Sequence, residues 1–270
     1  MGSTTGRELK LAYASDWHLG FLGSNDALPE FDRSAHALLL AGDTFDGPKT
    51  HQIDRFLEHT APTPVFLILG NHDCYQSRRD KVLRVLSNAF EGTHARLLDN
   101  EAAQFNGVTI LGTDLWTDFE LLGAGDVKEQ GIRRARGSMN DYRQITFKTD
   151  QKRFRKLHPI DTLTWHARAL DFIGSGLSNA GEPPVILMTH HAPFPESIPH
   201  TRKQDPLSPA YASDITDTLD NSGRWPDIMI HGHIHLAQQY QKGNTKILTN
   251  PHGYPKQVGT GFDAGAIIYI

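Results

Sequence analysis

Short apolar runs of strand length recur along the chain, and polar turn residues follow the main ones. Five of these runs cover residues 9–14, 38–41, 65–69, 185–188 and 227–230. Continuous apolar stretches of this length, with turn residues behind them, are typical of strands that are buried on both faces. Three further strands are expected at residues 108–112, 246–249 and 266–270.

Between the strands, apolar residues recur at helical spacing. This spacing predicts helices at residues 52–60, 76–91 and 161–175. In the last of them, Leu163, Leu170 and Ile173 form part of one apolar face. Because helices alternate with strands and no linker or repeat interrupts them, we expect a single α/β domain over residues 1–270.

Residues 116–156 show no clear hydrophobic period and are rich in Arg, Asp and Gly. We expect them to form a long insertion over one rim of the sheet, and loops of that length are usually functional or mobile. Two substrate-binding candidates lie here. The guanidinium of Arg143 could clamp phosphate oxygens in a bidentate way, and the ring of Tyr142 could stack on a base.

Composition and charge narrow the class of protein. A hydrophobic fraction of 38% and a charged fraction of 21% are ordinary for a globular protein, and the net charge of −4 gives no general attraction to nucleic acid or anionic membrane.

Cys74 is the single cysteine, so an intramolecular disulfide is excluded and a reducing compartment is expected. Residues 1–6 resemble a short disordered leader rather than a secretory signal. No apolar run approaches the roughly 20 residues of a membrane span. We therefore expect a cytoplasmic protein without a membrane partner.

The residues that follow the five main strands share one chemistry. Each strand ends in Asp, Asn or His, usually with glycine alongside, and open α/β sheets bind ligands at the carboxyl ends of their strands. The candidate metal ligands are Asp16, His18, Asp43, Asn71, His190, His233 and His235. This set is roughly what two adjacent divalent ions need when one carboxylate bridges them and water fills the open positions. We expect Asp43 to be the bridge and a metal-bridging hydroxide to be the nucleophile.

These motifs together resemble those of a known family. The matching stretches, in order, are Asp16-x-His18, Gly42-Asp43, Gly70-Asn71-His72-Asp73, His190 and Gly232-His233-x-His235. They resemble the motif set of the calcineurin-like metallophosphoesterases. The resemblance implies a four-layer α/β/β/α sandwich and metal-assisted hydrolysis of phosphate esters.

Longer stretches, some of which contain these motifs, resemble a bacterial subgroup of small stand-alone metallophosphoesterases. The stretches concerned are residues 115–118, 141–143, 189–193, 228–235 and 250–255. Members of this subgroup are mostly assigned by motif, so the likeness implies phosphoesterase chemistry without indicating a substrate.

The resemblance also implies roles for single residues. One metal would be held by Asp16, His18, Asp43 and His235, and the second by Asp43, Asn71, His190 and His233. His72 resembles a histidine that does not bind metal but protonates the leaving oxygen or stabilises charge on the phosphoryl group. Asp73 would be the catalytic partner that orients His72.

Several neighbouring residues leave alternatives open. Either His190 or His191 could be the ligand after the fourth strand; we favour His190, which comes first, and expect His191 to face the substrate or a carboxylate. Asp46 is expected to orient Asp43. The remaining histidines that lie away from strand ends are expected at the surface: His36, His51, His59, His94, His158 and His166.

The leading functional hypothesis is a dinuclear metal-dependent phosphoesterase that hydrolyses a small phosphomonoester or phosphodiester, such as a nucleotide. Manganese is the favoured metal. Fe, Zn, Ni and Co remain alternatives, because availability decides among these ions more than geometry. One alternative is a DNA or RNA nuclease that uses the same site. The negative net charge and the lack of a basic stripe interleaved with aromatics disfavour it. A non-catalytic scaffold of the same fold is a third hypothesis, disfavoured because every ligand position is filled. Oligomeric state is left open.

Overall fold

The computed structural model describes residues 8–270, and the leader expected at residues 1–6 lies outside the described residues. The strands, in chain order, are β1 (Lys10–Ala14), β2 (Ala37–Leu40), β3 (Val65–Leu67), β4 (Ala95–Leu97), β5 (Glu101–Phe105), β6 (Val108–Gly112), β7 (Thr146–Lys148), β8 (Phe154–Lys156), β9 (Val185–Met188), β10 (Ile228–His231), β11 (Gln238–Lys242), β12 (Thr245–Thr249) and β13 (Ile267–Tyr269). The helices are α1 (Thr50–Thr60), α2 (Arg79–Phe90), α3 (Asp126–Ser138), α4 (Asp141–Gln144), α5 (Pro159–Asn179) and α6 (Thr216–Asn221).

Two mixed sheets form the centre of the protein. The first has the strand order β13-β1-β2-β3-β4, in which β1 to β4 are parallel and β13 runs antiparallel at the edge. The second has the order β11-β12-β10-β9-β6-β5, with four parallel strands between two antiparallel edges. All eight strands and all three helices predicted from the sequence are present.

The sheets pack face to face, and helices cover their outer faces. Leu11 and Leu39 of the first sheet share one buried cluster with Ile110, Ile186 and Ile230 of the second. The helices α1 and α2 pack on the opposite face of the first sheet, and α5 and α6 pack on the outer face of the second. The predicted four-layer α/β/β/α sandwich is confirmed.

Strand β2 shows why this architecture follows from the sequence. Successive side chains in a strand point to opposite faces. Leu38 and Leu40 accordingly belong to the cluster under α1 and α2, whereas Leu39 belongs to the cluster between the sheets. A strand with an apolar layer on each side must be apolar at every position, which is the pattern of its sequence.

Residues 116–156 contain more regular structure than the sequence indicated. They form α3, α4 and the β7–β8 hairpin, and Ile132, Ala135 and Ile145 join the core on the helical side of the first sheet. His166 also differs from expectation. It is 4% exposed, and its Nδ1 lies 3.1 Å from the Leu115 carbonyl oxygen, so the prediction of a surface position was wrong.

Within residues 8–270, no helix has both the length and the apolar character needed to cross a membrane.

Packing between the sheets is expected to dominate stability. Leu39 is fully buried in this layer, so Leu39→Ala should lower the free energy of unfolding by about 2–5 kcal/mol through lost burial and an unfilled cavity. Val258→Ala is the control, because Val258 is 91% exposed and its change should stay within about 0.5 kcal/mol. Guanidinium denaturation of both variants measures the difference. Equal stability of the two variants would contradict the assigned core.

Candidate functional site

The carboxyl ends of β1, β2, β3, β9 and β10 meet, and all seven predicted ligand side chains come together there. The donor atoms of Asp16, His18 and His235 lie within 4.8 Å of one another, and so do those of Asp43, His190 and His233. We refer to the group formed by Asp16, His18, His235 and Asp43 as the first donor set. The second donor set is Asp43, Asn71, His190 and His233.

Asp43 lies between the two donor sets. Its Oδ2 is 3.9 Å from His18 Nε2 on one side and 3.4 Å from His190 Nε2 on the other. Within the sets, His235 Nε2 lies 3.1 Å from Asp16 Oδ1, and His190 Nε2 lies 3.0 Å from Asn71 Oδ1. One carboxylate thus lies between two clusters of potential ligand atoms, and its bridging of two metals stays a prediction.

The backbone at these strand ends adopts an uncommon conformation. Asp16, His18, Asp43, His233 and His235 all have positive φ, between 49° and 69°. Non-glycine residues rarely adopt this left-handed region, and such strain is concentrated at functional sites. The abrupt turns direct the side chains back toward a common point.

Glycine next to a ligand is required at two of these turns. A Cβ on Gly70 would lie 2.1 Å from Asp43 Oδ1, and one on Gly42, where φ is +86°, would lie 2.4 Å from His190 Nδ1. Neither position has space for a side chain. The glycines in the sequence motifs therefore allow the ligands to approach closely.

His190, rather than His191, belongs to the second donor set. His190 Nδ1 lies 2.9 Å from the Ala41 carbonyl oxygen, which leaves Nε2 facing Asn71 and Asp43. His191 is instead stacked on Trp116, with ring centroids 4.9 Å apart. Burial, followed by repulsion from His190, lowers the pKa of His191 to about 3. The centroid of the His191 ring lies 4.3 Å from that of the His233 ring. His191 does not line the neighbouring cleft described below.

Asp73 does not contact the His72 ring, so the expected orienting contact is wrong. Its carboxylate accepts three backbone hydrogen bonds, from Asp43 N at 3.0 Å, Phe45 N at 2.6 Å and Gly70 N at 2.7 Å. These bonds join the turn after β2 to the turn after β3. Asp73 therefore fixes the backbone conformation of the turn that carries Asp43.

The residue that orients His72 is Asp46. Its Oδ1 lies 2.7 Å from His72 Nδ1 and 3.1 Å from His18 Nδ1. Asp46 therefore holds these two rings, whereas the sequence analysis expected it to orient Asp43. His72 also stacks on Tyr75, with ring centroids 4.0 Å apart. Burial lowers the pKa of His72, but the charges of Asp43 and Asp46 outweigh it and the net shift is upward.

The insertion supplies a residue that the sequence analysis did not single out. Asp141 Oδ1 accepts a hydrogen bond from Asn71 Nδ2 at 2.6 Å and another from the Tyr75 hydroxyl at 2.8 Å. With its amide nitrogen held in this way, Asn71 presents Oδ1 to His190. Asp141 belongs to a stretch quoted for the bacterial subgroup, and that was the only sequence signal for it.

The two substrate-binding candidates next to Asp141 lie elsewhere. Tyr142 is 7% exposed and packs in the hydrophobic core with Ile145 and Leu157. Arg143 is exposed, and its guanidinium donates to the Gly137 carbonyl. Because neither side chain lines the cleft, we do not include them in the site.

The residues of the two donor sets fit divalent metal ions. They offer four imidazoles, two carboxylates and one carboxamide oxygen, a mixture that suits first-row transition ions. His233 Nε2 is buried and has no hydrogen-bond partner within residues 8–270. An unsatisfied buried nitrogen is unfavourable, and ligation of a cation would satisfy it.

A cleft of about 590 Å³, which we call groove A, opens beside the second donor set. Its wall includes Asn71, Asp141, Arg202, Tyr211 and His233. The cleft gives a small molecule access to otherwise buried donor atoms.

The role of Asp141 can be tested through metal affinity. Asp141→Ala removes the acceptor that holds the Asn71 amide, so we expect roughly 10–100-fold weaker binding of a metal ion at the second donor set. Chelator competition with Mn or Zn measures this change. Asp150→Ala, an exposed carboxylate in the same insertion, is the matched control. Unchanged affinity in a folded Asp141→Ala protein would contradict the positioning role.

Comparison with known proteins agrees with this geometry. A family model for calcineurin-like phosphoesterases matches residues 9–237, whereas no curated protein matches the chain. The structure is similar to that of phosphopantetheinyl hydrolase (PptH) from Mycobacterium tuberculosis, with a TM-score of 0.68, 16% identity, and coverage of 98% of this chain and 96% of that one. It is also similar to GAP50, the anchor in the inner membrane complex of Plasmodium, with a TM-score of 0.52, 14% identity, and coverage of 97% and 78%. At these identities the structural likeness shows the fold alone. The family match over most of the chain shows more: this protein belongs to the calcineurin-like phosphoesterases.

Proposed function

We propose that this protein is a dinuclear metal-dependent hydrolase of phosphoric esters. The observation that carries the proposal is the pair of donor sets that share Asp43. In this proposal the first donor set holds one ion and the second donor set holds the other. The family membership supports a phosphoesterase-type hydrolase, and the paired donor sets support two ions rather than one.

When bound, two divalent ions would supply Lewis-acid polarisation of the phosphate and a water molecule of lowered pKa. The chain's own residues supply positioning and hydrogen bonds. Asp46 holds His72 Nδ1, and in this proposal His72 Nε2 exchanges its contact with the Tyr254 hydroxyl for one with the leaving oxygen or the phosphoryl group. Asp73 keeps the Asp43 turn in place through its three backbone hydrogen bonds.

Manganese is the metal that we propose, with Fe, Zn, Ni or Co as alternatives, because the mixed nitrogen and oxygen donors suit all of them. We also propose a cytoplasmic location. The single cysteine, which is free and buried, is consistent with a reducing compartment.

A phosphopantetheinyl ester is the first substrate that we propose to test. The phosphopantetheinyl hydrolase structure and this chain cover each other almost completely. Groove A, at about 590 Å³, lies within the size range of small-molecule sites. Nucleotides are the second class to test, since they are also small phosphate esters.

Metal reconstitution is the direct test. Metal-stripped protein should hydrolyse chromogenic phosphate esters only after addition of Mn, Fe, Zn, Ni or Co. Asp43→Ala removes the ligand shared by both donor sets and should abolish activity together with metal binding. His72→Ala should retain metal while kcat falls by about 10²–10⁴-fold, the range typical of a lost acid–base group.

The matched control for these variants is His51→Ala, because His51 is exposed on α1 and belongs to neither donor set. Metal content is measured by elemental analysis in parallel with the kinetics. If the protein binds two equivalents of metal but hydrolyses no ester, the result would contradict the proposed enzymatic activity and favour a non-catalytic scaffold. Failure to bind metal would contradict the site itself.

A further inference from the structure

The stretch at residues 250–255, which matches the bacterial subgroup, is fixed to the end of β1. Asn250 Nδ2 donates to the carbonyl oxygens of Tyr13 and Asp263, each at 2.9 Å. The backbone continues this attachment, since Gly253 N donates to the Asp16 carbonyl oxygen at 2.9 Å. The following residue, Tyr254, is therefore held beside the first donor set.

Tyr254 covers that donor set and reaches His72. Its ring lies 4.4 Å from the His18 ring and 4.7 Å from the His235 ring, measured between centroids. Its hydroxyl oxygen lies 3.0 Å from His72 Nε2. Gln257 Oε1 accepts from Tyr254 N at 3.1 Å and lies 2.8 Å from His235 Nδ1, so the same network positions a ligand and the tyrosine.

Two grooves share Tyr254 in their walls. Groove A extends toward Arg202 and Tyr211. A second cleft of about 920 Å³, groove B, extends on the other side toward Phe21, Gln76 and Lys256. The residues common to both walls are His72, Tyr75, Asn140 and Tyr254.

This arrangement has a consequence for substrate shape. A phosphomonoester has one organic substituent and would need one groove, whereas a phosphodiester has two. A phosphoryl group bound next to His72 has a groove on each side for such substituents. Tyr254 is 39% exposed and lines both grooves, so a substrate in either groove can contact this residue.

We infer that Tyr254 is a further catalytic residue that hydrogen-bonds the phosphoryl group or its leaving oxygen beside His72, and that the site accepts a phosphodiester with one substituent in each groove. A phenol carries one donor hydrogen and can also accept, so the hydroxyl pairs with His72 in the free protein and with an ester oxygen in the complex. The inference rests on the proposed phosphoesterase function and specifies its substrate class.

The test compares Tyr254→Phe with wild type. This substitution keeps the ring over His18 and removes only the hydroxyl. Tyr269→Phe is the matched control, because Tyr269 is 56% exposed on the edge strand β13, outside both grooves. All three metal-loaded proteins are assayed with bis(4-nitrophenyl) phosphate, with 4-nitrophenyl phosphate, and with methyl phenyl phosphate, whose leaving group is poorer.

We expect wild type to hydrolyse the nitrophenyl diester with a higher kcat/KM than the monoester. In Tyr254→Phe, kcat/KM for diesters should fall about 100-fold, in the range seen when one preorganised donor is removed. The loss should be larger for methyl phenyl phosphate, because a poor leaving group depends more on the hydrogen bond. Inorganic phosphate, titrated calorimetrically, should bind the variant about tenfold more weakly, since a hydrogen bond to a charged group is lost. Metal content and melting temperature should not change.

Several results would overturn the inference. Wild-type preference for the monoester would contradict the two-groove substrate. Equal losses on good and poor leaving groups, with unchanged phosphate affinity, would show that Tyr254 only packs against His18. If wild type hydrolyses no ester, the proposed function and the diester preference both fail. The phosphate titration would still decide whether the Tyr254 hydroxyl contacts a phosphoryl group.

Discussion

The structure depends on keeping carboxylates buried side by side at the seam between the two sheets. Asp16 is fully buried and Asp43 is 1% exposed, and their burial and mutual repulsion both disfavour the charged forms. Backbone N–H groups offset part of this penalty: His72 N donates to Asp43 at 2.8 Å, and His233 N donates to Asp16 at 3.1 Å. Neighbouring imidazoles outweigh the remainder, so the pKa of each carboxyl is lowered. Divalent cations held by these carboxylates would stabilise the charged forms further, which gives this cluster a physical reason to bind them.

The packing of the sheets sets the geometry of this cluster. Asp16, Asp43 and Asn71 follow strands of the first sheet, whereas His190 and His233 follow strands of the second. The second donor set therefore closes only when the two sheets are in register, and His190 joins them directly through Ala41. Stability of the inter-sheet core and integrity of the site are in this way coupled.

Residues at the rim refine the site that the strand ends create. Asp141 comes from the insertion and fixes the Asn71 amide, and Tyr254 comes from the loop after β12 and stands over His18. In the proposed function, the strand ends supply the metal ligands, and these rim segments supply residues that position a ligand or line the cleft.

The sequence by itself determined the buried strands, the glycine-flanked turns and the seven donor residues, because apolar runs and their polar ends are local patterns. It did not indicate the edge strands β5 and β11, whose exposed faces carry mixed polar residues, nor the burial of His166. Only the tertiary structure decided which carboxylate forms hydrogen bonds with which side chain or backbone group. Asp73, Asp46 and Asp141 bind groups up to 70 residues away in the chain, and those pairings arise when the turns of separate strands meet. Side-chain direction was decided in the same way, since Asp141 faces the cleft whereas the adjacent Tyr142 packs in the core.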